Sequence, residues 1–425
     1  MRLISGALAV GLLALASGCG GGGADSQNHL PTLETTTFTA SAGASRDASL
    51  AISDDDGDTV AVSLAQAPQH GEVTLDGRQF SYRADPGFVG DDQWSVVLDD
   101  GSGETTPGTI RMTVNLPAWV EAIPSCGQDI FAYFSTQTLT PPSPGSEGYV
   151  VADTSRQDDM AGALDAFLNK DADAARTQAQ KADYTLCRGT SPEANWVAWI
   201  PGTAGEGRAL WAINWDPRAD GLVVETPHIV HDLDTLTEGV QLSRELDARA
   251  LIASGTHRCA NSTASGCSGQ TSVCGSAAEP YRESDMAHTE ASLFQVAHRQ
   301  IAAYYSNDLV ISLHGFADDG ISLSNGTTDS VASDSPVARL YAAFQSRLPQ
   351  ANLTSCNGFT GITAQQRLCG TTNVQGRQLN GSANACTQSA TQASERFIHM
   401  EQSLTVRQAQ SDVVLGALRT MLEGR

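Results

Sequence analysis

Basic residues are scarce in this sequence. Its 425 residues contain 25 lysines and arginines against 48 aspartates and glutamates, which gives a formal net charge of −23. A nucleic acid needs a basic surface that neutralises its phosphates, so this balance argues against nucleic-acid binding. An acidic protein would also repel a polyanionic substrate, unless the binding site itself carries a local positive charge.

Several common catalytic patterns are absent. The chain has no G-x-S-x-G turn of a serine hydrolase, no H-E-x-x-H pair, no phosphate-binding loop and no nucleotide-binding glycine fingerprint. It has no C-x-x-C pair either, which argues against a zinc ribbon. A serine hydrolase, the obvious rival class of enzyme, therefore lacks its nucleophile turn in this sequence.

Long apolar runs are missing except near the N-terminus. There Leu3–Ala16 follows Arg2, but this run is too short for a membrane span and ends in glycine. The sequence Ala16–Cys19 resembles a bacterial lipobox. That resemblance implies a signal peptide at residues 1–18, a lipid anchor on Cys19, and an outer-membrane or cell-surface location, because Gly20 is not aspartate. Residues 19–29, rich in glycine, are predicted to be a flexible linker.

Eight cysteines remain when Cys19 is set aside. An even number in an exported protein predicts disulfides rather than a thiolate metal site. Short loops such as Cys259 with Cys267 or Cys274, and Cys356 with Cys369, are plausible pairings. The eight are Cys126, Cys187, Cys259, Cys267, Cys274, Cys356, Cys369 and Cys386.

Residues 30–115 differ from the rest of the chain in composition and in the pattern of apolar residues. They lack cysteine, alternate apolar with polar residues, and contain Asp-Gly and Pro-Gly turns, which together predict an all-β sandwich. Within them, Gly71–Gly101 resembles bacterial Ig-like or cadherin-like repeats, which are spacers or adhesion units. The acidic run Asp54–Asp58 could bind Ca²⁺, although a solvated turn explains it better because the distal glutamate of a helical calcium loop is missing. One functional hypothesis is therefore an adhesin whose main function lies in residues 30–115.

Residues 116–425 predict a larger α/β domain with a largely parallel sheet flanked by helices, because strand-length apolar runs alternate with helical patterns. The predicted strands are Trp196–Ile200, Ala209–Trp215, Leu222–Val224, Ala250–Ala253, Leu309–Leu313 and Phe397–Met400. The predicted helices are Met160–Ala182, Thr235–Leu246, Met286–Tyr305 and Ser403–Leu422.

Ionisable residues follow four of these strands. The first strand leads to His228, the second to His257 and Arg258, the third to His314, and the fourth to Glu401. Ligands bind beyond the carboxyl ends of parallel strands, so these side chains are expected to meet at one edge of the sheet. Imidazoles and a carboxylate are the ligands of a catalytic zinc ion, and a separate glutamate could act as general base.

The order His-acid, Arg, Leu-His-Gly-Phe and His-Met-Glu-Gln-Ser over about Gly221–Arg407 resembles the zinc carboxypeptidase-like superfamily. The nearest type would be the poly-gamma-glutamate hydrolases and N-formylglutamate amidohydrolases. The resemblance implies that His228 and His314 bind zinc, that Glu401 activates water, and that Arg258 binds a substrate carboxylate or the oxyanion.

Three residues are candidates for the third metal ligand. Aligning on Thr235 places Asp232 at the acid position; His231 competes with it, and Glu238 is a reserve ligand whose T-x-x-E spacing is better explained as a capping box. His288 is a weaker substrate-contact candidate.

The sequence thus predicts an exported, lipid-anchored zinc hydrolase of an amide bond, with a carboxylate-bearing peptide or amide as substrate. The alternative is a non-catalytic surface lipoprotein that binds glycan or peptide.

Overall fold

A computed structural model describes residues 27–203, 206–217, 221–349 and 351–423. The predicted signal peptide, Cys19 and most of the linker lie outside these ranges, so their assignment stays a prediction. Among the described helices, none has the length and apolar character to span a bilayer.

The N-terminal segment is a β-sandwich, as its alternating pattern predicts. Its main sheet has the order β2-β9-β8-β5 and faces a second sheet, β3-β7-β6, while β1 pairs with β4. The β2–β9 pair is parallel, so the sandwich is not purely antiparallel. The strands are β1 (Thr32–Leu33), β2 (Thr37–Ser41), β3 (Arg46–Ser49), β4 (Ile52–Ser53), β5 (Ala61–Gln66), β6 (Gly71–Asp76), β7 (Gln79–Ala84), β8 (Gly90–Asp99) and β9 (Thr105–Asn115).

Alternation along β8 shows why this fold forms. Trp94, Val96 and Leu98 are buried between the sheets, while the residues between them face outward. A strand places successive side chains on opposite faces, so one apolar residue in two is enough to build the core.

The rest of the described chain forms one large domain. Its strands are β10 (Tyr184–Arg188), β11 (Trp196–Pro201), β12 (Leu210–Asn214), β13 (Leu222–Thr226), β14 (Ala250–Ala253), β15 (Gln270–Thr271), β16 (Glu279–Pro280), β17 (Leu309–Phe316), β18 (Ile321–Ser324), β19 (Leu353–Ser355) and β20 (Phe397–Ser403). Its helices are α1 (Ala118–Glu121), α2 (Thr136–Leu139), α3 (Thr154–Leu168), α4 (Ala172–Lys181), α5 (Thr235–Glu245), α6 (Leu293–Tyr304), α7 (Pro336–Arg347), α8 (Val374–Leu379), α9 (Leu404–Ala409) and α10 (Ser411–Glu423), with a 3-10 helix at Ile130–Tyr133.

The sheet of this domain has nine strands in the order β10-β11-β12-β14-β13-β17-β20-β18-β19. It is mixed rather than largely parallel, which corrects the sequence-based prediction: the β10–β11, β11–β12, β12–β14 and β18–β20 pairs are antiparallel. The central strands β14, β13, β17 and β20 are parallel neighbours, and their carboxyl ends meet at one edge.

Helices cover both faces of the sheet. Adjacent residues on one strand point into different cores: Val223 packs with α3 and α6, whereas Val224 packs with α5, α7 and α10. Because both faces are covered, the central strands are apolar along their whole length instead of alternating, as the sequence run at Leu222–Val224 indicates.

Three predicted helices have different bounds. Residues 160–182 form two helices, α3 and α4, because the chain turns between them with Lys170 at a φ of 65°. The helix predicted from Met286 begins at Leu293, where the Ser292 side chain caps it. The C-terminal helix is divided into α9 and α10 at Gln410.

All eight of the remaining cysteines form disulfides. Cys259–Cys274 and Cys356–Cys369 are short loops of the kind expected, while Cys126–Cys187 and Cys267–Cys386 join more distant segments. The prediction of a disulfide-bonded chain is therefore confirmed.

A glycine fixes the path of the chain after β14. A Cβ added to Gly255 would overlap the carbonyl oxygen of Arg208, on the segment before β12. Gly255 therefore allows the close backbone approach that directs His257 and Arg258 toward the edge of the sheet.

Replacing Gly255 with alanine should accordingly destabilise the large domain by about 2 kcal/mol, because the backbone of one segment must move. Urea unfolding of the full chain measures this loss. Gly358→Ala is the matched control, since its nearest neighbouring atom would lie 3.3 Å from the new Cβ. An unchanged unfolding midpoint in Gly255→Ala would contradict the packing argument.

Candidate metal centre

His228 lies in the turn that follows β13. Backbone amides of His231 and Asp232 donate to its carbonyl oxygen, so the loop folds back on itself directly after the strand. The imidazole is buried, with Nδ1 3.2 Å from Asp232 Oδ2 and Nε2 2.8 Å from Asp285 Oδ1. Both ring nitrogens therefore face carboxylates.

His314, on the neighbouring strand β17, reaches the same point. Its ring centroid lies 5.0 Å from that of His228, and its Nδ1 lies 3.5 Å from Asp232 Oδ2. One ligand atom from each of His228, Asp232 and His314 lies within 4.8 Å of the others. The structure thus brings together the three residues that the sequence predicts as metal ligands.

The second nitrogen of each histidine has a protein partner, as is usual for metal-bound histidines. Asp285 accepts a hydrogen bond from His228 Nε2, and Ser312 Oγ lies 3.0 Å from His314 Nε2. The two Nδ1 atoms are the ones that face Asp232. The donor set of two imidazoles and one carboxylate fits zinc with an open coordination position.

Electrostatics give Asp232 and His314 the protonation states that bind a metal. The pKa of His228 is raised instead: burial and Arg258 lower it, but the carboxylates of Asp285 and Asp232 outweigh these effects. Burial by itself would raise the pKa of Asp232, but hydrogen bonds from His228 and His314 outweigh it and hold that pKa far below its ordinary value. Burial lowers the pKa of His314 to about 4, so this imidazole is neutral near pH 7. An ionised carboxylate and a neutral imidazole are the forms that bind a metal.

Glu401 lies beside His314, which it pairs with in register across β17 and β20. It is buried, its Oε2 has no hydrogen-bond partner among the described residues, and burial followed by the charge of Asp232 raises its pKa to about 8. His399, two residues earlier, places Nε2 3.7 Å from Glu401 Oε1 and its ring 4.4 Å from that of His314. His314, His399 and Glu401 therefore form a second, overlapping group of close ligand atoms.

Asp285 is the site residue that sequence reasoning missed. Its Oδ1 accepts hydrogen bonds from His228 and from His288 Nδ1, at 2.8 and 2.9 Å. Its Oδ2 accepts from Arg258 Nε and Nη2, at 3.0 and 2.6 Å. The residue lies in the Ser-Asp-Met-Ala-His segment that was predicted to start a helix, so only its acidic character could have suggested a role.

Arg258 and His288 both line the cavity, but each already has partners. Burial tends to lower the pKa of Arg258, and the attraction of Asp285 more than offsets this, so the guanidinium is charged. His288 stacks on Tyr281 with ring centroids 3.6 Å apart, and its Nε2 lies 3.2 Å from Thr372 Oγ1. The proposed substrate contacts of Arg258 and His288 stay predictions.

The two competing ligands lie elsewhere. His231 is exposed and faces His257, with ring centroids 5.6 Å apart, and it belongs to no ligand cluster of the described residues. Glu238 is buried and accepts a hydrogen bond from Gln402 Nε2 at 2.7 Å. Asp234, at a φ of 68°, precedes α5 as its N-cap, so the expected capping box between Thr235 and Glu238 does not form.

The cavity in front of these residues has a volume of about 300 Å³. Its inner part is formed by ionisable side chains that the strand ends and the following loops supply. These are His228, Arg258, His288, His314, His399 and Glu401. A small amide substrate could therefore reach both the candidate metal ligands and the candidate base.

The acidic run of the sandwich also gathers oxygens. One carboxylate oxygen from each of Asp54, Asp56 and Asp58 lies within 4.8 Å of the others, at partly to fully exposed positions. Asp54 Oδ1 also accepts from the backbone amides of Asp56 and Asp58, as a solvated acidic turn would. Calcium binding there stays a prediction.

Comparison with known proteins identifies the N-terminal segment. Residues 28–113 match the family model described as a bacterial Ig domain, which confirms the Ig-like prediction. No zinc carboxypeptidase-like family model matches the chain, and no curated protein matches it.

Three similar solved structures each match about a fifth of the chain. An endo-fucoidan hydrolase from glycoside hydrolase family 107 is 17% identical over 21% of this chain and 14% of its own, with a TM-score of 0.19. A nucleoside hydrolase-related hypothetical protein from Saccharophagus degradans is 20% identical over 21% of this chain and 26% of its own, with a TM-score of 0.18. Titin Ig tandem domains A164-A165 are 7% identical over 21% and 51%, with a TM-score of 0.16. The matches span well under two thirds of these chains.

Replacing Glu238 with glutamine should stabilise the protein above neutral pH. Burial raises the pKa of Glu238 to about 7, although Gln402 and Arg407 oppose the shift. A carboxyl whose pKa is higher in the folded than in the unfolded protein stabilises the folded state. This contribution is fully present below the unfolded pKa of about 4.3 and is lost as the pH rises through the folded pKa of about 7. The parent should therefore lose on the order of 3 kcal/mol relative to the variant between pH 4 and pH 8.

Urea unfolding at both pH values measures the difference. Glu34→Gln, at an exposed position of the sandwich, controls for the removal of one negative charge. If Glu238→Gln does not increase the free energy of unfolding at pH 8, ionisation of the buried carboxyl does not destabilise the parent protein.

Proposed function

We propose that the large domain is a zinc-dependent hydrolase of an amide bond, of the zinc carboxypeptidase-like type. The observation that carries this proposal is the convergence of His228, Asp232 and His314 on one point, beside a buried Glu401 with an unpartnered oxygen. The three ligands and the glutamate come from the ends of adjacent parallel strands, where α/β sheets bind their substrates.

His228, Asp232 and His314 would hold the zinc ion, with Asp285 and Ser312 keeping the two imidazoles in their orientations. A zinc ion bound by three protein ligands supplies an open coordination position and lowers the pKa of a water molecule from about 15.7 to about 7. The neutral imidazole of His314 and the ionised carboxylate of Asp232 suit this role.

Glu401 would act as the general base and then as the general acid. Its unpartnered Oε2 can take the proton of the attacking water and later deliver it to the leaving nitrogen of the amide. Burial, followed by the charge of Asp232, raises the pKa of Glu401 to about 8, so its carboxyl is mostly protonated at pH 7 and would act as the base through its ionised fraction. A bound metal ion would lower the pKa of Glu401, because a nearby positive charge favours the carboxylate.

The proposed reaction is hydrolysis of an amide bond, and it specifies no charge for the substrate group beside that bond. Arg258 was expected to bind a substrate carboxylate, but two of its nitrogens bind Asp285. Stabilisation of the oxyanion by Arg258 stays part of the proposal, because its side chain lines the cavity.

Export fits the remaining features. Bacterial Ig domains usually occur in extracellular or surface proteins, and four disulfides persist in an oxidising compartment. We propose that the sandwich separates the hydrolase domain from a membrane to which Cys19 is lipid-anchored.

The metal proposal predicts the zinc content of two variants. The purified parent should bind one zinc per chain, and His314→Ala should lose it, because the deletion removes one of three protein ligands. Elemental analysis after dialysis against limiting zinc measures the stoichiometry. The control is His231→Ala, which removes an exposed histidine of the same loop. This variant should bind zinc as the parent does. A parent chain without zinc would end the proposal.

The base proposal predicts a different outcome for Glu401→Gln. This variant should keep its zinc but lose hydrolysis of peptide amides by a factor of roughly 10²–10⁴, since it cannot accept the proton. Hydrolysis is followed by release of free amine, with chelator-treated parent as the blank. Activity equal to that of the parent would exclude Glu401 as the base, and no activity in a zinc-loaded parent would favour a non-catalytic binding protein.

A further inference from the structure

We propose that the cavity selects an uncharged, apolar group next to the scissile amide, and that Val273 and Leu368 bind that group. This inference rests on the proposed hydrolase function and names its substrate class. It departs from the acidic substrates of the resembling families, because the walls of this cavity differ in chemistry from an anion site.

Val273 and Leu368 are unusual among the described residues because they are large, apolar and exposed. Val273 is 42% exposed and Leu368 is 43% exposed, and both line the cavity in front of the candidate metal ligands. Isolated exposed apolar residues need no explanation, but two that come from different loops and border one cavity form a potential contact surface.

Both residues are held by disulfides. Val273 precedes Cys274, which is bonded to Cys259, and Leu368 precedes Cys369, which is bonded to Cys356. A disulfide restrains the backbone of the loop that carries each side chain, so less backbone freedom is lost when a ligand binds, which favours affinity. The two loops thus present their apolar side chains as a fixed clamp.

Leu368 also adopts a costly backbone conformation. Its φ of 53° lies in the left-handed region, which leucine rarely occupies and which concentrates at functional sites. The loop stays in place because Ser324 Oγ donates to the Cys369 carbonyl at 2.6 Å, and because Gly370 lies against the His399 ring, where a Cβ would come within 2.6 Å. These contacts therefore hold Leu368 at the cavity despite the cost of its backbone conformation.

The charges of the lining disfavour an anionic group. Among the described lining residues, Arg258 is the sole lysine or arginine, and Asp285 offsets its charge through two hydrogen bonds. The remaining wall residues beside the clamp are neutral: Gln270, Thr271, Thr371, Thr372 and Asn373. Beside Val273 and Leu368, a glutamyl side chain would therefore meet neutral wall residues, in a chain whose formal net charge is −23.

The test compares two peptides that differ only in the residues around the central amide, acetyl-Ala-Leu-Leu-Ala-amide and acetyl-Ala-Glu-Glu-Ala-amide. Binding is measured by calorimetry on the zinc-loaded full chain that carries Glu401→Gln, so that turnover does not interfere. The leucyl peptide should bind at least about tenfold more tightly, as expected when an apolar pocket accepts or loses a few methylene groups.

Removing the clamp should abolish this preference. Val273→Ser and Leu368→Asn, each added to Glu401→Gln, should weaken the leucyl peptide about tenfold and leave the glutamyl peptide within about twofold. Asparagine tolerates the left-handed conformation, so Leu368→Asn changes the side chain without releasing the loop. Val150→Ser and Leu64→Ser, at similarly exposed apolar positions of 45% and 43% away from the cavity lining, are the matched controls and should bind as the parent does.

The outcomes separate the two proposals. Equal affinities, tighter binding of the glutamyl peptide, no binding of either peptide, or unchanged affinity in both clamp variants would overturn the apolar clamp. If the leucyl peptide binds selectively but the zinc-loaded parent does not cleave it, the hydrolase proposal fails and the clamp stands. If the parent cleaves the glutamyl peptide faster, the hydrolase proposal stands and the clamp fails.

Discussion

The site depends on the hydrogen bonds and ion pairs of one buried carboxylate, that of Asp285. Burying an ion is costly unless its charge and its lone pairs are satisfied. Here Arg258 supplies the compensating charge, and His228 and His288 complete the hydrogen bonds, so the pKa of Asp285 lies far below its ordinary value although burial opposes this. The carboxylate of Asp285 thereby holds three side chains in place: the guanidinium of Arg258, the imidazole of the candidate metal ligand His228, and the imidazole of His288, which lines the cavity.

The proposed binding of a metal and of an apolar group in one cavity is consistent with this arrangement. The charges that a zinc site needs are paired with one another at the inner end, around Asp232 and Asp285. The outer walls are then free to be neutral, and two disulfide-linked loops place Val273 and Leu368 there. The proposed specificity for an uncharged group follows from this division, because an anion beside Val273 and Leu368 would lose water and meet only neutral wall residues.

Local patterns predicted much of the fold and part of the site. The strands after Leu222 were found because buried parallel strands are continuous apolar runs, and His228, His314 and Glu401 were found because they directly follow or end such runs. Helix starts were less predictable: the segment from Met286 to Ser292 has helical spacing but is held as a loop by Asp285 and the Ser292 cap. Glu238 matched a capping box, yet tertiary packing against Gln402 decided its role.

The sequence by itself determined that the chain joins a bacterial Ig sandwich to a disulfide-bonded domain with helices and strands, since these depend on periodicity, turn residues and cysteine number. Only the tertiary structure decided the strand directions, the partners of each cysteine, the choice of Asp232 over His231 and Glu238 beside the two histidines, and the presence of Asp285. The reason is physical: strand pairing, charge compensation and the burial of an ion depend on residues that are far apart in the sequence. His228 and Asp285 are 57 positions apart, and Glu238 and Gln402 are 164 positions apart.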